Sequence, residues 1–149
     1  MTDVAFYHLQ RASLEDALPI LLERTLESGN RALVLASSDE RVEVLAERLW
    51  TYRSDSWLPH GTARDGEPEH QPIWVTARDE NPNGAEFVFL TDGAATARLH
   101  LFTRAFDLFD GNDDGAVAAA RERWQSLKSA GHVLTYWRQG DLGGWERHA

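Results

Sequence analysis

The segment at 110–115 (Asp-Gly-Asn-Asp-Asp-Gly) has the residue types and spacing of a calcium-binding EF-hand loop. Such a loop has oxygen ligands at its first, third and fifth positions, a glycine at the sixth and a bidentate glutamate at the twelfth. Asp110, Asn112 and Asp114 match the ligands, but the twelfth position is Arg121, a cation where the metal needs two more oxygens. The pattern therefore favours a polar turn that supplies an acidic N-cap to the next helix. We predict no metal site.

The turns after the first two predicted strands lack the residues of a phosphate site. Nucleotide-binding α/β domains have a Gly-rich turn there. Here the turns read Gln-Arg-Ala-Ser at 10–13 and Ser-Ser-Asp-Glu at 37–40, with no glycine and no P-loop lysine. An alternative function stays open, in which a small ligand-binding domain or enzyme uses Ser37, Ser38, Asp39 and the 60–70 loop at the carboxyl ends of the strands.

No other pattern indicates a catalytic centre. The chain has no cysteine, so it has neither a thiol nucleophile nor a thiolate metal site. Its six histidines include no HExxH pair, and no serine lies in a GxSxG turn. We therefore predict no catalytic residues and no cofactor.

The strongest binding pattern lies on a late helix predicted at 116–130. Arg121, Trp124, Gln125 and Lys128 follow i, i+3, i+4 and i+7 spacing, which places them on one face. On an otherwise acidic protein this face suits an acidic peptide ending in an apolar residue, since cations hold carboxylates and the indole packs on the side chain. Arg123 lies beside this set. The same residues also fit an ordinary helix whose Trp124 is in the core and whose arginines are solvated.

Tryptophan is unusually frequent, with six residues in 149. We predict Trp74 and Trp137 in core strands. Trp50 ends a predicted helix and Trp57 lies in a polar loop, just before Pro59, so both fit equally well a core position or a partner interface, where Trp is a common anchor.

The elements that position these residues alternate between strand and helix. A Ser13 N-cap opens the first helix, Gly29 closes it, and a long ordered loop over 51–71 follows the second helix. Such alternation predicts a single α/β domain with a mostly parallel sheet and helical crossovers, and the turns above give it no nucleotide-binding Gly-rich loop. We predict a loosely held tail over 140–149. The predicted strands are 4–9, 32–36, 73–76, 87–91 and 132–137; further helices are predicted at 39–49, 96–109 and 116–130.

Bulk composition limits the partners. A net charge of -9 repels phosphate backbones, so we expect contact with DNA only indirectly. The absence of cysteine fits a reducing compartment, and no apolar run approaches the roughly 20 residues of a membrane span. We predict a cytoplasmic protein with no membrane contact.

Three segments in order resemble the chi subunit family of bacterial DNA polymerase III. They are Phe-Tyr-His-Leu at 6–9, the stretch from Leu49-Trp50 to Ser56-Trp57-Leu58-Pro59-His60, and Ala-Ala-Arg-Glu-Arg-Trp at 119–124 followed by Ala130-Gly131. With the chain length and the strand-helix order, the resemblance covers essentially the whole chain. It implies a Rossmann-like three-layer α/β domain, with helices on both faces of the sheet and no nucleotide binding. It also implies a non-catalytic accessory subunit of the polymerase holoenzyme, which links the clamp loader to single-stranded DNA-binding protein by capturing its acidic C-terminal tail.

The resemblance also implies roles for particular residues. Arg121, Trp124 and Gln125 match the tail-binding helix positions, with Arg123 and Lys128 as further cations. Trp50, Trp57 and Pro59 match the surface that meets the psi subunit, or another clamp-loader component. Two departures stand out: Gln125 replaces the family's basic residue after the aromatic, and the 61–71 loop is this chain's own.

Overall fold

The computed structural model describes residues 2–52, 58–140 and 144–149. Trp57 lies outside these residues. Within them the chain alternates strands and helices, with short 3-10 turns at Pro68–His70 and Leu99–Leu101. The elements are β1 (Asp3–Leu9), α1 (Leu14–Glu27), β2 (Ala32–Leu35), α2 (Asp39–Thr51), β3 (Ile73–Thr76), β4 (Phe87–Thr91), β5 (Arg104–Asp110), α3 (Asp114–Ser129), β6 (Val133–Gln139) and β7 (Trp145–Arg147).

The strands of the described residues form one sheet in the order β3-β2-β4-β5-β1-β6-β7. Every pair is parallel except β6 with β7. Helices α1 and α2 pack on one face and α3 on the other, which confirms the predicted Rossmann-like, three-layer α/β class. From β1 the chain crosses toward β2, and from β5 it crosses the opposite way to β6. The carboxyl ends of the neighbouring strands β1 and β5 therefore form a topological switch point.

Alternation along the central strands divides the side chains between the two faces. In β1, Val4 and Phe6 belong to the core under α3, whereas Ala5 and Leu9 belong to the core under α1 and α2. In β5, Phe106 packs under α1 and α2, and its ring stacks on Phe89 at 4.4 Å. A strand buried on both faces thus has apolar residues at nearly every position.

Capping residues fix where the helices begin and end. The Ser13 hydroxyl accepts the backbone N–H of Asp16 at the start of α1, and the Ser38 hydroxyl accepts that of Arg41 at the start of α2. Gly29 follows α1 with φ of +83°, a conformation that favours glycine. The predicted N-cap at Ser13 and the glycine stop are both confirmed.

The predicted helix at 96–109 is wrong. This segment contains the 3-10 turn at Leu99–Leu101 and then β5. Its apolar residues at 99, 102, 106 and 109 have helical spacing, but Leu108 is fully buried as well. Because β5 is covered on both faces, its apolar residues occur at both parities and imitate the helical period.

The tail is also ordered further than predicted. Trp145–Arg147 pairs antiparallel with β6, and the half-buried Trp145 indole packs edge-on against Tyr7 at 4.8 Å. This pairing corrects the expectation of a loosely held 140–149 segment at these three residues. The predicted loop over 51–71 is confirmed for most of its described residues. Thr51 is still part of α2, Pro68–His70 forms a 3-10 turn, and Gly61 bridges to Trp74 at the edge of the sheet.

Candidate partner-binding site

The outer face of α3 presents the cationic residues singled out in the sequence. Arg121, Gln125 and Lys128 are all exposed along one side of the helix. They point outward, whereas Ala120, about 100° round the helix from Arg121, is buried against the sheet. The helix begins at an Asp113 N-cap whose carboxylate accepts the backbone N–H groups of Gly115 and Ala116. This cap confirms the predicted acidic N-cap in the polar 110–115 turn, although the turn follows β5 and not the helix predicted at 96–109.

Trp124 lies between the exposed face and the core. It is half-buried, and its ring meets Phe6 edge-on at 5.3 Å and Tyr136 edge-on at 5.9 Å. Edge-to-face pairs of this kind hold an indole in a fixed orientation. The part of the ring that stays accessible is therefore a preformed apolar surface beside the cations of α3.

Arg123 faces the sheet. Its Nε and a terminal guanidinium nitrogen donate to the two carboxylate oxygens of Asp107 at 2.7 and 2.9 Å. Asp107, on β5, is 1% exposed. Burial raises the pKa of Asp107, and the hydrogen bonds and charge of Arg123 oppose that rise. Because the Arg123 guanidinium is bound to Asp107, it anchors α3 on the sheet. Arg121, two residues earlier, is exposed instead.

Two residues beneath this surface were not predicted to support it, the buried His8 on β1 and the half-buried Tyr136 on β6. The Tyr136 hydroxyl and the His8 Nδ1 are 2.6 Å apart, which fixes the tyrosine ring that packs on Trp124. Burial lowers the pKa of His8, and the nearby charges of Arg138 and Arg121 lower it further. The alternation of β6 puts Tyr136 on the α3 side, but only the pairing of β6 with β1 brings it to His8.

A second surface surrounds Trp50 at the end of α2. Trp50 is 59% exposed, and its ring lies 4.8 Å from that of His60. A groove of about 810 Å³ runs beside it, between α2, β3 and the segment at 62–65. Pro59 is half-buried next to the buried Leu58. The two tryptophans predicted in core strands are buried to different degrees. Trp74 is 3% exposed, whereas Trp137 is half-buried and packs against the core.

The structure brings together part of the alternative small-ligand site, while Ser37 and Ser38 do not line its cavity. Asp39 and the 62–65 part of the loop line the Trp50 groove. The switch-point crevice between β1 and β5 is a separate cavity of about 380 Å³. Its Arg41 is paired with Glu15 at 2.6 Å and with Asp92 at 2.8 Å. Within the described residues, no three His, Asp or Glu side chains are grouped to hold a metal ion.

None of the helices in the described part of the chain is both long enough and apolar enough to cross a bilayer.

The fold and its surfaces define a Rossmann-like α/β domain whose prominent exposed groups include Arg121 on α3 and the Trp50 indole, two residue types enriched at protein interfaces. Residues 1–135 match the family model described as "DNA polymerase III chi subunit, HolC". The chain belongs to this family, whose members are subunits of DNA polymerase III.

Two curated proteins are similar to this chain. One is the "DNA polymerase III subunit chi" of Escherichia coli (strain K12), 26% identical over 144 residues that cover 90% of this chain and 96% of that protein. The other is the "Probable DNA polymerase III subunit chi" of Rickettsia prowazekii (strain Madrid E), 28% identical over 99 residues and 66% of this chain. That alignment spans 60% of the Rickettsia protein's length.

Proposed function

We propose that this protein is a non-catalytic adaptor of the DNA polymerase III holoenzyme, which acts in the cytoplasm and links the clamp loader to single-stranded DNA-binding protein. The adaptor captures the acidic C-terminal tail of that protein on the outer face of α3. The supporting observation is the exposed Arg121, Gln125 and Lys128 beside the half-buried Trp124, on a chain whose net charge is -9.

Capture rests on two kinds of contact. Arg121 and Lys128 attract the tail carboxylates, and Gln125 between them donates a neutral hydrogen bond. The terminal apolar side chain of the tail packs on the accessible part of Trp124, beside Tyr136. Arg123 contributes indirectly, because its bond to Asp107 fixes the helix that carries the other residues. The adaptor reaches DNA through its partner, which fits its own acidic charge.

A peptide titration tests the tail site. A labelled peptide copying an acidic tail should bind the wild-type protein and weaken with salt, because exposed charge pairs are screened over about 8 Å at physiological ionic strength. Arg121→Ala should weaken binding about tenfold or more, the effect of losing one charge-assisted hydrogen bond. Arg98→Ala, which removes another exposed arginine elsewhere on the surface, is the matched control. Equal affinity in the Arg121 and Arg98 variants would exclude this site.

We further propose that the surface around Trp50 and Pro59, with Trp57, docks on the psi subunit or another clamp-loader component. An indole that is 59% exposed beside a groove of about 810 Å³ supports this assignment, since Trp is a frequent interface anchor. Trp50→Ala should abolish co-elution with a reconstituted clamp loader and leave tail binding intact. Arg121→Ala should show the reverse, and loss of both activities in either variant would contradict two separate surfaces.

The alternative function, a small-ligand site or enzyme at the strand ends, has one supporting observation, the groove of about 810 Å³ that Asp39 and the 62–65 part of the loop line together. A ligand at free concentration L that binds only the folded state stabilises it by RT ln(1 + L/Kd), so Tm rises with the logarithm of ligand concentration once that exceeds Kd. Nucleotides and divalent metals should therefore leave the Tm of the adaptor unchanged. A clear rise with any of them would favour the alternative.

A further inference from the structure

In the turn after β1, three consecutive backbone N–H groups point at the same oxygen atom. The backbone N–H groups of Gln10, Arg11 and Ala12 all donate to one oxygen, the side-chain Oε1 of Gln139, at 3.2, 2.9 and 3.0 Å. Gln139 is the last residue of β6 and is 8% exposed. Three successive donors converging on a single acceptor form a concavity of the kind that binds anions.

The position of this turn is the one where related α/β sheets bind phosphate. It follows β1, precedes the N-terminus of α1 and borders the crevice at the switch point between β1 and β5. In nucleotide-binding domains, a Gly-rich turn presents its N–H groups to the pyrophosphate at this place. Here the donors are present without any glycine, and a neutral amide oxygen of the protein itself occupies them.

We infer that the β1–α1 turn is an oxyanion cradle, and that Gln139 closes it as a built-in occupant. The occupant holds the end of β6 to the beginning of α1, and so fastens the β6–β7 hairpin across the strand ends. It also removes the donors from any free ligand. Gln10 and Arg11 are exposed and Ala12 is half-buried, so water or a dissolved anion can reach the three donors if the Gln139 side chain is removed.

Removing the occupant should turn the cradle into a binding site for a tetrahedral oxyanion. We expect sulfate and inorganic phosphate to raise the Tm of Gln139→Ala by about 4 °C once the anion is about tenfold above its Kd, relative to sodium chloride at equal ionic strength. Wild type should show no such rise. Gln10→Ala is the matched control, since it removes an exposed glutamine side chain from the same turn and leaves its backbone donors and Gln139 intact.

Two further variants test the oxyanion cradle even if Gln139→Ala does not fold. Gln139→Glu puts a stronger acceptor on the three donors, and Gln139→Met keeps the size but offers only a weak one. The charged groups around the crevice are Arg11, Glu15, Arg41, Asp92 and Asp110, with Arg138 and Glu146 on the hairpin strands. These are screened by measuring in about 0.5 M sodium chloride.

In that salt we expect a higher Tm for Gln139→Glu than for Gln139→Met. Equal or lower Tm for the Glu variant would overturn the cradle. So would a folded Gln139→Ala protein that responds to sulfate no more than wild type does.

Discussion

The buried ion pair between Asp107 and Arg123 should contribute much of the stability that holds α3 on the sheet. The pair is bidentate, and the side chains are 2% and 21% exposed, respectively. Removing one partner of a buried pair costs about 3–5 kcal/mol, because a charge is left without compensation. We expect Arg123→Met to lower the free energy of unfolding by about that amount at neutral pH. For a chain of this size, this corresponds to a fall in Tm of about 6–20 °C.

The stability that Arg123→Met loses should depend on pH, because Asp107 is left as an ionisable group without its partner. Burial raises the pKa of Asp107 and Arg123 opposes the rise, so removal of Arg123 leaves only the raising cause. A carboxyl whose folded-state pKa is raised contributes its stability below the unfolded value of about 3.9, and loses it as pH rises through the folded value. The cost of Arg123→Met should therefore be small near pH 4 and grow toward pH 8.

Denaturant unfolding at several pH values measures this effect, with Arg121→Met as the matched control. The two variants make the same chemical change at positions two residues apart on the same helix, but Arg121 is exposed. Its replacement should change stability by no more than about 0.5 kcal/mol. If Arg123→Met were as stable as Arg121→Met, or if its cost were the same at pH 4 and pH 8, the assigned role of the buried pair would be refuted.

The structure supports further predictions on stability. Phe106→Ala should cost about 3–5 kcal/mol by denaturant unfolding, because it removes a buried ring stacked on Phe89 at 4.4 Å; a cost below 1 kcal/mol would contradict that packing. The Thr96 hydroxyl and the Ala97 backbone N–H lower the pKa of Asp79, so this carboxylate contributes stability above its unfolded pKa and loses it as pH falls. Asp79→Asn should reduce the acid sensitivity of Tm between pH 6 and pH 3, and an unchanged Tm profile would oppose this. Trp50→Ala should change Tm by only a degree or two, since the indole is largely solvated; a large fall would place it in the core.

The sequence was sufficient for elements whose signals are local. The hydroxyl at Ser13 and the glycine at 29 mark the limits of α1, and the run at 32–36 contains β2. The face of Arg121, Gln125 and Lys128 follows from helical spacing alone, and the structure shows these side chains exposed. Resemblance to the family then gave an expectation for what this face binds.

The sequence failed where the surroundings override a local period. The 96–109 segment has helical spacing, yet it forms β5 because the centre of the sheet is apolar on both sides. Nothing in the local sequence separates the role of Arg123 from that of Arg121. Only the packing of α3 over β5 gives Arg123 its partner Asp107.

The sequence by itself determined the periodic spacing, the helix caps and the charge, because these are properties of single residues and their neighbours along the chain. The partner of a buried polar group depends on which elements pack together, and the two residues are 16 positions apart for Asp107 with Arg123 and 128 apart for His8 with Tyr136. Gln139 meets the turn at 10–12, and Tyr136 meets His8, because the parallel pairing of β6 with β1 brings the two ends of the chain together. Only the tertiary structure decided those contacts, since buried donors and acceptors must find one another wherever the chain places them.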